Sequence, residues 1–271
     1  MSDKNLRFAG SIPEYYDRYL GPVLFEPWAA DMATRVSAVA PTGPVLETSC
    51  GTGILTAHLH AKLLNTAHLV ASDLYPDMMR IAQQKPGIGS DVEWREADAC
   101  ELPFGDRTFA AVVNQFGMMF VPDKAAAVRQ AERVLKDGGF FAFSVWDSFE
   151  ENPLGRIGHE TIIKFFESDP PLFYQIPFGF SDAEMWTKLL AENGFGHIEV
   201  HKVCFDARSS SAESLATGIV RGNPVGTIIE ERGLPVEQII SKLTSELARF
   251  GGDHPFSCPM QALIFTARAN S

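Results

Sequence analysis

The chain has 271 residues, 45% of them apolar, and a formal net charge of -11. The length suits one large α/β domain with elaborations, or two small domains, and the apolar share is ample for a core. The acidic balance argues against nucleic acid, whose phosphates need clustered Lys and Arg, and against an anionic membrane surface. Cys50, Cys100, Cys204 and Cys258 form no C-x-x-C pair and have no His at zinc-ligand spacing, so no metal site is expected. Met1-Ser2-Asp3-Lys4-Asn5 lacks an apolar signal core, and no apolar run reaches membrane-spanning length. The expectation is a cytoplasmic protein with idle thiols.

Residues 11–39 read as helical, with Pro13 in a first turn after Ser11, an aromatic stretch at Tyr15-Tyr16-Asp17-Arg18-Tyr19, and a break at Gly21-Pro22. Short apolar runs then alternate with helical patterns. Val45-Leu46 leads into a helix over 54–64, and 68–71 leads through Asp73 into a helix over 76–84. Val92-Glu93-Trp94 leads to Asp98, and 110–113 precedes a helix over 124–135. Lys136-Asp137-Gly138-Gly139 reads as a turn before a strand over 140–145. Such alternation implies a parallel sheet with right-handed crossovers. Residues 147–181 are rich in aromatics and prolines. Ser181 is placed as the N-cap of a helix over 182–192, which Asn193-Gly194 ends. Strand patterns at 197–205 and 261–267 flank a mostly helical stretch, 209–250, with breaks near Gly222 and Gly233.

The chemistry concentrates where the first strands end. Gly51 and Gly53 allow a tight turn and the close approach of a ligand. A dinucleotide fingerprint would place a third glycine where Thr56 stands, and Glu47 before the turn would repel a pyrophosphate but attract a ligand cation. Asp73, about twenty residues beyond the turn, is placed to accept from both hydroxyls of a ribose, or to cap the helix that follows. Asp98, the third acid in register, can accept from an exocyclic amine.

These residues carry a family resemblance. Glu47-Thr48-Ser49-Cys50-Gly51-Thr52-Gly53 is similar to the glycine motif of class I S-adenosylmethionine-dependent methyltransferases. Asp73-Leu74-Tyr75-Pro76-Asp77-Met78-Met79 resembles their second-strand motif. Glu96-Ala97-Asp98-Ala99-Cys100-Glu101-Leu102-Pro103-Phe104 resembles the adenine-side motif, and Leu135-Lys136-Asp137-Gly138-Gly139 the turn before strand five. The likeness covers about residues 40–150 and is greatest to the small-molecule group that includes the quinone-biosynthesis type. It implies a Rossmann-like, seven-stranded, mostly parallel α/β sheet with helices on both faces and a helical lid from two insertions. The implied divisions are 1–40 over the cofactor, 41–147 as the cofactor-binding core, 148–181 as a lid, and 182–271 completing the sheet around an insertion at 209–256.

The implied cofactor is S-adenosyl-L-methionine, with S-adenosyl-L-homocysteine as product. Cys50, Gly51 and Gly53 would border its methionyl part, with Glu47 near the ammonium end. Asp73 would take the ribose hydroxyls, with Leu74 and Met78 beside the nucleoside. Asp98 and the backbone of Ala99 would hold the adenine. Asn114 and Gln115 would lie beside the sulfonium, and Tyr16 and Tyr19 would close over the cofactor or simply pack their helix. Three departures stand out: Ser49 where the family often has glycine, Ala110 where it usually has Asp, and Asp137 in place of a common proline. Gln115-Phe116 replaces the Pro-Pro-aromatic of members that methylate nucleobase amino groups, which favours a small, partly hydrophobic acceptor with the aromatics of 149–180 as its pocket. His159, His201 and His254 are the candidate bases, and no catalytic residue is assigned. The rival expectations are a cofactor-binding protein that cyclises or does not react, and an NAD-dependent oxidoreductase.

Overall fold

The chain opens with α1 (Ile12–Tyr15), passes through a π-helical stretch (Tyr16–Phe25) and continues as α2 (Glu26–Ala38). The expected break at Gly21-Pro22 is absent. Pro22 has no N–H to give, and the wider helix carries the chain past it, with the Glu26 N–H donating to the Gly21 carbonyl five residues back. Ser11 precedes α1, and its side chain makes no capping bond. The computed structural model describes residues 7–63 and 67–270. The N-terminal pentapeptide and Leu64, the expected end of a helix, lie outside the described residues.

Next come β1 (Val45–Thr48), α3 (Ile54–Leu63), β2 (Leu69–Asp73), α4 (Pro76–Gln83), β3 (Glu93–Glu96), β4 (Phe109–Gln115), α5 (Lys124–Val134) and β5 (Leu135–Trp146). They are followed by α6 (Pro153–Ile162), α7 (Gln175–Phe178), α8 (Ala183–Glu192) and β6 (Phe195–Ser209). The chain closes with α9 (Ala212–Arg221), α10 (Val225–Glu231), α11 (Val236–Gly251) and β7 (Phe256–Ala269). The seven strands form one sheet in the order β3-β2-β1-β4-β5-β7-β6. β1 pairs in parallel with β2 and β4, β2 with β3, and β4 with β5. β1 and β2 are buried along their whole length, as a parallel sheet covered on both faces requires. β3 and β6, at the two margins, are partly exposed.

Two boundaries differ from expectation. Residues 135–139 belong to β5 instead of a free turn: Leu135 pairs with Phe109, and the register shifts before Phe140 meets Ala111. The exposed Lys136-Asp137-Gly138 is the bulge that this shift creates. The cap of α8 is Asp182, not Ser181, because its carboxylate accepts from both the Glu184 and Met185 N–H groups. An ionised acceptor there also meets the positive end of the helix, which a serine hydroxyl cannot match.

The chain divides into two compact units. The sheet unit comprises Trp28–Val145, Ser181–Val203 and Ala262–Ser271. Its core includes Phe143, stacked on Phe265 at 4.8 Å and 5.1 Å from Trp186, and Phe141 stacked on Phe195. The helical unit comprises Met1–Pro27, Trp146–Phe180 and Cys204–Gln261. There α9 lies against the π-helical stretch and against α11, and Gly218 lets Tyr19 and Leu20 come within the space of a methyl group.

Candidate cofactor site at the strand ends

The parallel register aligns the ends of four strands. Thr48 faces Ser72 on one side and Asn114 on the other, and Asp73 faces Glu96, two residues before Asp98. Glu47 is 1% exposed. Its Oε2 is buried without a hydrogen-bond partner, and so are the hydroxyls of Thr52 in the turn that follows and of Thr56 at the start of α3. Burial pushes the Glu47 carboxyl up to about 8. The nearby Thr56 hydroxyl, outside hydrogen-bonding geometry, offsets part of this, and the Asp73 charge adds to it. Burial likewise raises Asp73 to about 6 against the pull of backbone N–H donors. Burial raises the Cys50 thiol too, with Asp73 and Glu47 adding to it, which makes it a poor nucleophile.

Asp73 is not the cap of α4; Tyr75 occupies that position. Its two oxygens instead tie the turn to the second strand, Oδ2 accepting from the Gly51 N–H at 2.7 Å and Oδ1 from the Tyr75 N–H at 2.8 Å. The two glycines do different work. Gly51, at φ +56°, has only the Met78 Cε within reach of an added Cβ, at 3.5 Å, so its surface is open. Gly53, at φ +78°, would drive a Cβ to 2.7 Å from the Ala82 Cβ, so it serves the packing of the turn on α4. Leu74 stands 49% exposed beside Asp73. Asp98 and Ala99 are half-buried, and Asp98 Oδ1 accepts from the Cys100 N–H at 2.8 Å.

Asn114, expected to face a ligand, is fully buried, and its amide is committed to protein. Its Nδ2 donates to the Thr48 carbonyl, the Thr48 hydroxyl and the Ser49 hydroxyl at 3.0–3.2 Å. Its Oδ1 accepts from the Gly117 and Met118 N–H groups at 2.9 Å. Gln115, next along β4, is half-buried. The sequence missed the orphaned Thr52 and Thr56 hydroxyls and the partnership of Asn114 with Ser49 and Gly117. No spacing rule marks the two threonines, because Thr52 lies in the turn before Gly53, at φ +78°, and only Thr56 is in α3.

The remaining expected residues, His201 of the sheet unit apart, lie in the helical unit. Tyr16 stacks on Phe25 at 4.9 Å, and Tyr19 stacks on Tyr15 at 5.9 Å with Arg18 over its ring. Phe178 meets Phe149 and Trp146, and Phe173 meets Phe8 and Tyr174. His159 stacks on Phe149, its Nδ1 is buried without a partner, and burial lowers its pKa. His201 and His254 sit beside exposed acids. A groove of about 350 Å³ is lined from α6 and α11, including Lys164, Lys242 and Phe250, and holds none of the strand-end residues. Among the described residues no group of three His, Cys, Asp or Glu could hold a metal ion, and no helix is long and apolar enough to cross a membrane.

Comparison with known proteins bears on this arrangement. A family model described as a methyltransferase domain matches residues 45–139. Over 174 residues the chain is 30% identical to the ubiquinone/menaquinone biosynthesis C-methyltransferase UbiE of Klebsiella pneumoniae, covering 59% of this chain and 68% of that protein. Across the curated relatives it matches, the chain spans 39% to 68% of their length. Among solved structures, phosphoethanolamine N-methyltransferase 2 of Haemonchus contortus, in complex with S-adenosyl-L-methionine, has a TM-score of 0.59 at 14% identity over 96% of this chain and 57% of that one. The [4+2]-cyclase SpnF has a TM-score of 0.54 at 18% identity over 89% of this chain and 79% of that one. At such identities these two show a shared fold.

Proposed function

We propose, from the premise that this chain belongs to the class I S-adenosylmethionine-dependent methyltransferases of the quinone-biosynthesis-like group, that it methylates a small, partly hydrophobic acceptor. The observation that carries the proposal is Glu47: a carboxylate with an orphaned oxygen, buried beside an open glycine turn, in line with Asp73 and Asp98. A buried acid without a partner is costly unless something pairs with it. The ammonium end of S-adenosylmethionine is a cation of the right kind, and a dinucleotide pyrophosphate is not.

On this reading Glu47 holds the amino end and Gly51 exposes backbone to the methionyl chain. Asp73 receives the ribose hydroxyls on the lone pairs its N–H donors leave open. Asp98 and the Ala99 N–H hold the adenine, with Leu74 and Met78 against its faces. S-adenosylmethionine supplies an already activated methyl group, so the protein has mainly to align and desolvate. Gln115 borders the reacting end, and Asn114 fixes the strand end that carries it. If the acceptor must lose a proton, a base is required, with His159, His201 and His254 as candidates and none of them assigned.

Incubation with S-adenosylmethionine and a panel of hydroquinone-like and phenolic acceptors, with S-adenosylhomocysteine as the readout, tests this. Release with any member supports methyl transfer. Tight cofactor binding with no release across the panel would favour the non-methylating alternative, a chemistry of the kind named for the cyclase that shares the fold.

A further inference from the structure

Of the five described non-glycine residues of the sheet unit whose backbone takes a positive φ, the two with the largest values are Ser49 at φ +55° and Phe116 at φ +57°. They sit just beyond the ends of β1 and β4, adjacent strands whose last paired residues are Thr48 and Asn114. A strained non-glycine residue persists only where its surroundings hold it. Here the holding is explicit. Asn114 donates to Thr48 and Ser49 on one strand end and accepts from Gly117 and Met118 on the other. The Phe116 N–H is bound to Ser144, and its ring meets the edge of Trp28. Ser49 and Gly117 face each other directly: a Cβ on Gly117 would fall 2.4 Å from the Ser49 Cβ, 2.6 Å from its Oγ and 2.9 Å from Asn114 Nδ2. Only one of the two positions can carry a side chain.

We infer that Ser49 and Gly117 are a matched pair, and that Ser49 is a positioning residue whose side chain, seated on Gly117 and bonded to Asn114, sets the spacing between the glycine turn and Gln115. The inference rests on the cofactor reading above, because the two segments it spaces are those assigned to the methionyl chain and the reacting end. It gives the departure at position 49 a physical reason. Where glycine would leave a gap, serine fills it and gains the Asn114 amide as a donor, and Gly117 is the residue that must then stay bare. Neither residue need touch the cofactor; a shift of the turn by a few tenths of an ångström is enough to misplace Gly51.

The test is a double-mutant cycle on the full chain: Gly117→Ala, Ser49→Gly and the two together, each titrated calorimetrically with S-adenosylhomocysteine and melted. Gly117→Ala should weaken binding by about tenfold or more, and Ser49→Gly alone by about threefold. The double variant should bind within a few-fold of Ser49→Gly, since the two shortest clashes, with the Ser49 side chain, are gone and the Asn114 amide, freed of Ser49, has only to give slightly. That rescue of affinity is the outcome a merely structural role would not give. Wild-type affinity in Gly117→Ala, or a double variant that binds as the product of the two single losses, would overturn the pair. If Gly117→Ala does not fold, Gly117→Ala in the Ser49→Gly background must fold and bind, and its failure would equally overturn the inference. A wild-type chain that folds and binds no S-adenosylhomocysteine would instead overturn the proposed function and the role given to the pair with it. Binding without rescue would sink the pair alone.

Discussion

The strand-end turn of the sheet unit and the aromatic stretch of the helical unit are both dense in side chains that the sequence marks out, and they are built in opposite ways. Around the turn, polar atoms are left over: Glu47 Oε2 and the Thr52 and Thr56 hydroxyls are buried without partners, and two carboxyls are held above their ordinary range. In the aromatic stretch one side-chain atom, His159 Nδ1, is left over. Phe173, Phe178, Tyr16 and Tyr19 each meet other rings, and Tyr174 gives its hydroxyl to the Ile219 carbonyl at 2.7 Å. A core closes its own accounts, whereas a binding site keeps unmet demands that a ligand supplies. That criterion favours the turn as the proposed site over the aromatic stretch, where His159 Nδ1 is the one orphaned side-chain atom among the described residues of that unit.

The sharpest way to break the contrast is Phe178→Ala. Gly155 lets this ring lie directly on α6, where an added Cβ would come within 2.2 Å of it. Loss of the ring should cost about 3–5 kcal/mol of unfolding free energy by denaturant titration. S-adenosylhomocysteine affinity of the folded fraction should barely change. If stability holds and only an acceptor's KM rises, the stretch is a pocket after all. Gly53→Ala comes next: a positive φ combined with the Ala82 contact should cost about 2–4 kcal/mol in the same titration. Asp73→Asn is expected to cost about 1–3 kcal/mol, because an amide cannot accept from both the Gly51 and Tyr75 N–H groups as the carboxylate does.

The pH dependence of Glu47 is a finer probe. Its folded pKa, about 8, lies above the ordinary 4.5, so between those values the folded chain holds the proton more tightly than the unfolded chain. Stability without ligand should therefore fall as pH rises through that window, and Glu47→Gln should flatten the slope. A cation beside Glu47 favours its ionised form, so cofactor binding near pH 7 should release protons. Calorimetry in two buffers of different ionisation enthalpy would detect that release, and Glu47→Gln should abolish it. The smallest effect is Thr56→Val. The hydroxyl makes no hydrogen bond in normal geometry and only eases the ionisation of Glu47, so below the raised Glu47 pKa the melting temperature should hold or rise slightly.

Much of the sheet unit was legible because parallel strands advertise themselves. Val45-Leu46 and Leu69-Val70-Ala71 are fully buried apolar runs, and an acid, Glu47 or Asp73, stands at or near the end of each strand. The failures share a cause: each depended on residues distant in sequence or on a competition between neighbours. The Gly21-Pro22 break vanished because a π-helical register absorbs proline. Asp182 displaced Ser181 as cap by one position, a choice that alternation and composition do not make. Ser49 was recognised as unusual, but its counterpart Gly117 lies across the strand pair and Asn114 between them, and only the fold brings the three together. For the aromatics of 149–180 the choice between pocket and packing stays a proposal, because composition does not distinguish rings that face a ligand from rings that face each other.

The most direct test of the central claim is a calorimetric titration of the wild-type chain with S-adenosylhomocysteine, with NADH as control and Glu47→Gln as the variant. The account predicts a single site of about micromolar affinity, no response to NADH, and binding weakened tenfold or more in Glu47→Gln. Folded protein, freed of any copurified ligand, that fails to bind S-adenosylhomocysteine, or that binds it equally well without the Glu47 carboxylate, would contradict the claim that the strand-end acids form the cofactor site.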